Sequence, residues 1–233
     1  MTLIELVKES ALELKERPTM FLPKIITSLI SSIWMILLLH SAETMNFQYM
    51  YLGLFLFIPV FFLGVWSPVI VAEMIKKNSS LLNSVKSTFS YLPKLVAVSI
   101  MLLVGMTTSL LPFYLGAGLH ILTGSFVGLI IGSLISLMAV ITFVYGIYFL
   151  PIALTENETV KSFKKSFKAS GTNKKEVTIL LLFSFTLLGI AAASSGVLRG
   201  LGIAGFIIGR AFSSIVSTYT VIISPKYYLQ NEN

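Results

Sequence analysis

The chain lacks two residue types, is poor in two more, and each shortage excludes a class of chemistry. It has no cysteine, so disulfides, thiolate metal sites and a cysteine nucleophile are excluded. It has no aspartate, and all ten acidic residues are glutamates. Histidine is confined to His40 and His120, and arginine to Arg17, Arg199 and Arg210. Charged residues are 12% of the 233, against roughly 25% in an ordinary soluble domain, while 55% are hydrophobic and the mean hydropathy is +0.89. A surface with so little charge does not mostly face water. Several windows hold about 20 largely apolar residues, the length that crosses a hydrocarbon core of about 30 Å. The chain reads as an all-α, polytopic integral membrane protein.

Six spans are expected, near Phe21–His40, Tyr49–Ala72, Leu95–Leu115, Ile121–Leu150, Val177–Leu198 and Ile203–Ser224. Lys and Arg set their orientation, because positive residues stay on the cytoplasmic side. Lys8, Lys15 and Arg17 precede span one; Lys76, Lys77, Lys86 and Lys94 separate spans two and three; six lysines from Lys161 to Lys175 separate spans four and five. The connections between spans one and two, and between three and four, hold neither Lys nor Arg. Both termini are therefore expected in the cytoplasm of a multi-pass cell-membrane protein. The opening MTLIELVKESALELKERP is not expected to be a cleaved signal peptide, since four glutamates stand among its basic residues and it contains no continuous apolar run. Leu3, Val7, Ala11 and Leu14 give it one apolar helical stripe, Glu13 and Arg17 form a favourable pair four apart, and Pro18 stops the helix.

Two register marks recur. A Val-Lys pair opens three hydrophilic segments, at Val7, Val85 and Val160, and a proline closes the second helix of each pair of spans, at Pro68, Pro151 and Pro225. The fifth residue after these prolines is Glu73, Glu156 or Gln230. The pattern predicts one membrane domain over residues 1–233 built from three related units, about 1–75, 76–155 and 156–233, each an amphipathic cytoplasmic helix followed by a helical hairpin.

The segment TENETVKSFKKSFKAS, Thr155 to Ser170, shows what those hydrophilic helices are for. On a helical wheel started at Val160, Phe163 and Phe167 fall at about 300° and 340°, and Lys161, Lys164, Lys165 and Lys168 between about 40° and 140°. A helix lying in the membrane interface has this form, with rings toward acyl chains and lysine stems reaching anionic headgroups on the cytoplasmic side. Thr155 and Glu158 fit a capping pattern and Gly171 a stop. The alternative is that the lysines only fix topology. No nucleic-acid-reading motif accompanies them, so nucleic acid is not an expected partner. The residues Pro151, Glu156, Val160, Phe163 and Ser166 resemble a stretch in the polytopic membrane domains attached to some glycerophosphodiester phosphodiesterases and in their stand-alone relatives. The resemblance implies a fold type and carries no catalytic residue, because the soluble phosphodiesterase domain is missing and there is no Asp. Phe163 stands where that group usually has Ala, which bears on how closely this helix packs.

Small residues four apart mark two spans: Gly124, Gly128, Gly132 and Ser136 in the fourth, and Gly205, Gly209, Ser213 and Ser217 in the sixth. Such ridges let helix backbones approach closely, and they are expected to pack spans four and six against each other or a symmetry mate, in a homo-oligomer. Arg210 lies about 10 Å below the outer edge of span six, with no glutamate at the centre of any span. An intramembrane arginine is a candidate contact for an anion or a lipid phosphate. The competing reading is an arginine that snorkels outward or bonds hydroxyls and carbonyls nearby. His40, Glu43 and His120 lie near the outer face, and nothing brings them together as a metal site; no cofactor is expected. The other glutamates read as surface residues beside lysines, with no acid–base pair among them. The expected function is non-enzymatic, a transporter or channel for a small solute or anion, with a lipid-binding or oligomeric scaffold as the alternative. An intramembrane enzyme is the least supported of the three.

Overall fold

The computed structural model describes residues 2–44, 47–156 and 158–231, and the side chains of 39–44, 47, 49, 50 and 54 lie outside that description. Ten α-helices and no strand occur among the described residues: α1 (Leu3–Glu16), α2 (Leu22–Thr44), α3 (Phe47–Lys76), α4 (Leu81–Phe89), α5 (Leu92–Thr123), α6 (Phe126–Gly146), α7 (Leu150–Leu154), α8 (Thr159–Thr172), α9 (Lys174–Arg199) and α10 (Gly202–Asn231). Six of them, α2, α3, α5, α6, α9 and α10, are long and apolar enough to cross a membrane.

Local chemistry explains the breaks. Thr2 and Glu5 close a capping box at the start of α1, with Glu5 Oε2 accepting from the Thr2 amide at 2.7 Å. Pro18 then opens a single 3-10 turn before α2. Gly124, with φ of 70°, ends α5 in the left-handed conformation that costs glycine least, and Ser125 caps α6. This moves the outer connection. The third span runs on through His120 to Thr123, and Gly124 belongs to the turn rather than to the ridge of the fourth span. Pro112 therefore sits inside α5, and the Ser136 hydroxyl of α6 accepts a hydrogen bond from the Phe113 amide at 2.8 Å.

The three prolines also differ from expectation. Pro68 and Pro225 lie within α3 and α10, which continue to Lys76 and Asn231, while Pro151 opens the short helix α7 after a break at Gly146. Thr155 caps the end of α7, its hydroxyl donating to the Ile152 carbonyl, and Glu158 precedes α8 without a side-chain cap. Gly171 lies inside α8, which stops at Asn173.

Packing is densest between sequence neighbours, α2 with α3, α5 with α6 and α9 with α10. The α10 helix is the hub and also touches α2, α3, α1 and α7. The most buried side chains gather where the proline segments meet. Ala72, Ile152 and Ile223 are fully buried, with Leu6 and Phe149 beside them. The helices α4, α8 and α1 each seat on a proline-bearing helix: α4 on α3, α8 on α7, and α1 on α10.

The seating faces differ from those the apolar periodicity suggested. In α8 the buried face is Ser162, Ser166 and Ser170, joined by Phe163, while Val160 and Phe167 remain largely exposed. Ser166 donates to the Gly146 carbonyl at 2.7 Å and Ser162 to the Ala153 carbonyl at 3.1 Å. In α1 the buried face is Leu6, Ser10 and Leu14; of the expected stripe Leu14 is buried, while Leu3 and Val7 are only partly so. Small hydroxyl residues let these helices approach their supports, and a buried hydroxyl needs the carbonyl it meets there.

Candidate functional site

At the lysine-rich end, glutamates are tied down one by one. Glu13 pairs with Arg17 at 3.4 Å and with Lys226 at 2.6 Å, joining α1 to α10. Arg17 donates to the Asn78 side chain at 2.9 Å and to the Ser79 carbonyl at 2.5 Å, which fastens the end of α3. Lys76 reaches across from α3 to Glu156 at 3.2 Å, and Lys165 meets the same carboxylate at 2.9 Å. Lys165 also lies over the Tyr228 ring, 5.3 Å from its centroid. It therefore serves the packed layer and not a lipid-facing row. Lys161, Lys164 and Lys168 stay exposed, and the Lys161–Glu158 pair at 3.3 Å is open to water on both sides, where such pairs contribute little.

Burial pushes the Glu156 carboxyl up, but the hydrogen bonds and charges of Lys165 and Lys76 outweigh it and hold the group below the usual glutamate value of 4.5. A depressed folded value stabilises the fold at pH above the unfolded value, and that contribution disappears as pH falls through the folded one. Glu156→Gln is expected to lower stability at neutral pH and to flatten the loss of stability on acidification below about pH 4.5. Thermal unfolding in detergent at a series of pH values checks this, and an acid limb unchanged in the variant would refute it.

Glu73 is not a surface residue. It is fully buried. Its Oε1 pairs with Lys77 at 2.5 Å and accepts from Ser87 at 2.7 Å, while Oε2 has no hydrogen-bond partner. The carboxylate of Glu73 raises the pKa of Lys77 through the hydrogen bond between them.

The two small-residue ridges serve their own pairs and do not meet each other. Gly116 of α5 faces Gly128 and Gly132 of α6 backbone to backbone, and a Cβ on Gly132 would collide with the Pro112 carbonyl. In the last pair, a Cβ on Gly205 would collide with the Leu198 carbonyl, and Gly209 faces Ser195. Ser195 donates to the Gly209 carbonyl at 2.7 Å and lies 2.7 Å from the Ser213 hydroxyl. Ser217 is half-buried on the same helix.

Arg210 extends from α10 to α2, where its Nη2 donates to Ser31. Ser28 donates to the Arg210 carbonyl at 3.1 Å, and Ser214 to the same oxygen at 2.8 Å. Ser28, Ser31 and Ser32 are all buried. The Arg210 Nε is buried without a partner, and among the described residues no carboxylate pairs with this guanidinium. Arg210 also begins a polar face that the small-residue reading had missed. At 100° per residue, Arg210, Ser213, Ser217, Thr220, Ser224 and Tyr227 fall within an arc of about 100°. Their alternating spacing of three and four was the available signal. Thr220 and Ser224 line a cavity of about 160 Å³ with Tyr148 and Ser184, whose hydroxyls are buried without partners. Tyr227 lines a second cavity of about 530 Å³, bounded by Thr2, Asn173, Lys175, Glu176 and Gln230.

His120 lies 4.3 Å from the Phe126 ring, its Nδ1 3.2 Å from the Ser125 carbonyl. The side chains of His40 and Glu43 are outside the described residues, so the outer trio is not placed as a group. Among the described residues no three His, Asp or Glu side chains stand together as a metal would need. No protein-family model, no curated protein and no solved structure matches the chain.

Proposed function

We propose that the chain is a non-enzymatic multi-pass membrane protein that moves a small anionic solute along the hydroxyl-bearing face of α10. The observation that carries this reading is Arg210, a guanidinium within an apolar helix that donates to Ser31 and pairs with no described carboxylate. A cation in that setting is costly unless it serves a ligand or a path. The same arc of α10 carries Thr220, Ser224 and Tyr227, which line two cavities, and hydroxyl groups can replace the water an anion gives up. In this reading the six long helices form three hairpins, both termini face the cytoplasm, and the lysine-rich layer lies on that side. The seating of α4, α8 and α1 on α3, α7 and α10 supports three related units.

Reconstitution into liposomes tests it, with chloride, inorganic phosphate and acetate as probe anions. At least one should flow faster than into protein-free vesicles, and Arg210→Ala should cut that flux roughly tenfold or more, the scale of losing one charge-assisted contact. Flux indifferent to Arg210 would refute the reading. The competing reading, a lipid-bound or oligomeric scaffold, draws on exposed Lys161, Lys164 and Lys168 beside exposed Val160 and Phe167. That reading requires the opposite pattern: Arg210 tolerant, and binding to anionic vesicles lost when those lysines become Gln.

A further inference from the structure

The starts of α1 and α9 meet the end of α10 around the cavity of about 530 Å³, a volume within the roughly 300–1,000 Å³ of ligand sites. Its lining differs in kind from that of the other two large cavities. Those, of about 510 and 450 Å³, are walled by apolar side chains apart from Ser99 in one and Lys15 and Tyr219 in the other. Here Leu6 and Tyr227 are buried as part of the core, while Asn173, Lys175, Glu176 and Asn231 line the same space.

Glu176 points to the ligand. It is half-buried, yet among the described residues no cation pairs with it and no hydrogen bond reaches its side chain. The other packed glutamates each have a cation: Glu13 has Arg17 and Lys226, Glu73 has Lys77, and Glu156 has Lys76 and Lys165. Lys175, beside Glu176 in the chain, is exposed and pairs with no described carboxylate. The amides add acceptors. Asn173 Nδ2 donates to the Ala169 carbonyl at 3.2 Å and Asn231 Nδ2 to the Tyr227 carbonyl at 2.8 Å, which leaves both side-chain oxygens to accept.

A carboxylate and two amide oxygens suit an ammonium group, which has three hydrogens to donate and accepts none. A simple amine, however, would be repelled by the lysines of this face. A ligand that also carries a carboxylate is neutral overall and gives Lys175 a partner. Leu3, Leu6 and Ile179 supply an apolar wall for a side chain. We propose that this cavity binds one aliphatic α-amino acid as its zwitterion, with the ammonium on Glu176, the carboxylate on Lys175 and the side chain against that wall. The site shares Tyr227 with the hydroxyl-bearing face of α10, but its charged partners lie on α9. It therefore rests neither on Arg210 nor on anion flux.

Isothermal titration calorimetry of the full chain in detergent, with L-leucine as the probe, tests it. One leucine should bind per chain. Isoamylamine and isocaproate, which keep only the ammonium or only the carboxylate of leucine, should each bind about tenfold more weakly. Glu176→Gln and Lys175→Gln should each reduce leucine affinity about tenfold, the scale of one charge-assisted contact, with melting curves unchanged. Ile179→Trp, made at a side chain 44% exposed, should fill the cavity and weaken binding likewise. Arg210→Ala should leave leucine binding intact, so this site and the transport reading fail separately. No binding of leucine, an amine or acid that binds as tightly as leucine, or an affinity indifferent to both charge variants would overturn the proposal.

Discussion

Lys77→Met is expected to destabilise the fold by about 3 kcal/mol, although Lys77 is half exposed and its partner is a single glutamate. The size of the effect comes from that partner. Glu73 is fully buried, and its Oε1 is held only by Lys77 and Ser87 while Oε2 has nothing. Removing the lysine leaves a carboxylate with one neutral hydrogen bond in a site closed to water, and breaking a buried pair from one side costs about 3–5 kcal/mol. The Ser87 bond that survives places this case at the low end. Glu73→Gln acts differently. Its amide oxygen can still accept from Ser87, and water can solvate the released Lys77 ammonium, so a loss of about 1 kcal/mol is expected. The double change should therefore cost close to the Glu73→Gln value, with the Lys77→Met penalty largely gone. Chemical unfolding in detergent, followed by helical signal, measures the cycle. Additive losses, or a Lys77→Met no worse than Glu73→Gln, would show that the buried carboxylate is not what matters.

Gly132→Val should separate α6 from α5 and lower stability by about 3 kcal/mol, the upper part of the range for overpacking. The expected cost follows from what the new atoms would meet. A Cβ at Gly132 would collide with the Pro112 carbonyl and lie 3.3 Å from the Gly116 Cα, and neither is the end of a flexible side chain. Moving the helices apart would also break the bond from the Phe113 amide to Ser136, in a place where Pro112 already leaves α5 one backbone donor short. Gly118 gives the control. It lies on α5 with open space around its missing Cβ, so Gly118→Ala should be neutral. Melting temperatures of the two variants decide the matter, and equal values would remove the case for a backbone-to-backbone seam.

The particular residues show where sequence reading stopped. The Glu13–Arg17 pair and the stop at Pro18 follow from local spacing, and both are present. The small-residue ridges were also legible as ridges. Their partners were not, because a glycine stripe states that something comes close and not which helix it is. Ser162, Ser166 and Ser170 were visible as well, yet ranking faces by apolarity favoured Val160 and Phe167. On α8 that ranking fails. Ser162 and Ser166 each meet a backbone carbonyl of the preceding segment, and a small side chain lets the helix come close enough for that bond. Arg210 was conspicuous from its setting alone, whereas its contact with Ser31 joins residues far apart in the chain.

What the sequence by itself determined is the class of protein, because scarcity of charge and the length of apolar runs are properties of the chain that no folding changes. Six helices long and apolar enough to cross a membrane follow from it. Only the tertiary structure decided that Glu73 is buried while Glu158 is exposed, that Lys165 is half-buried while Lys164 is exposed, and that three proline segments share one core. Burial is a relation between distant segments. The charge of a glutamate is written in the chain, but the solvent it faces depends on which helix packs over it.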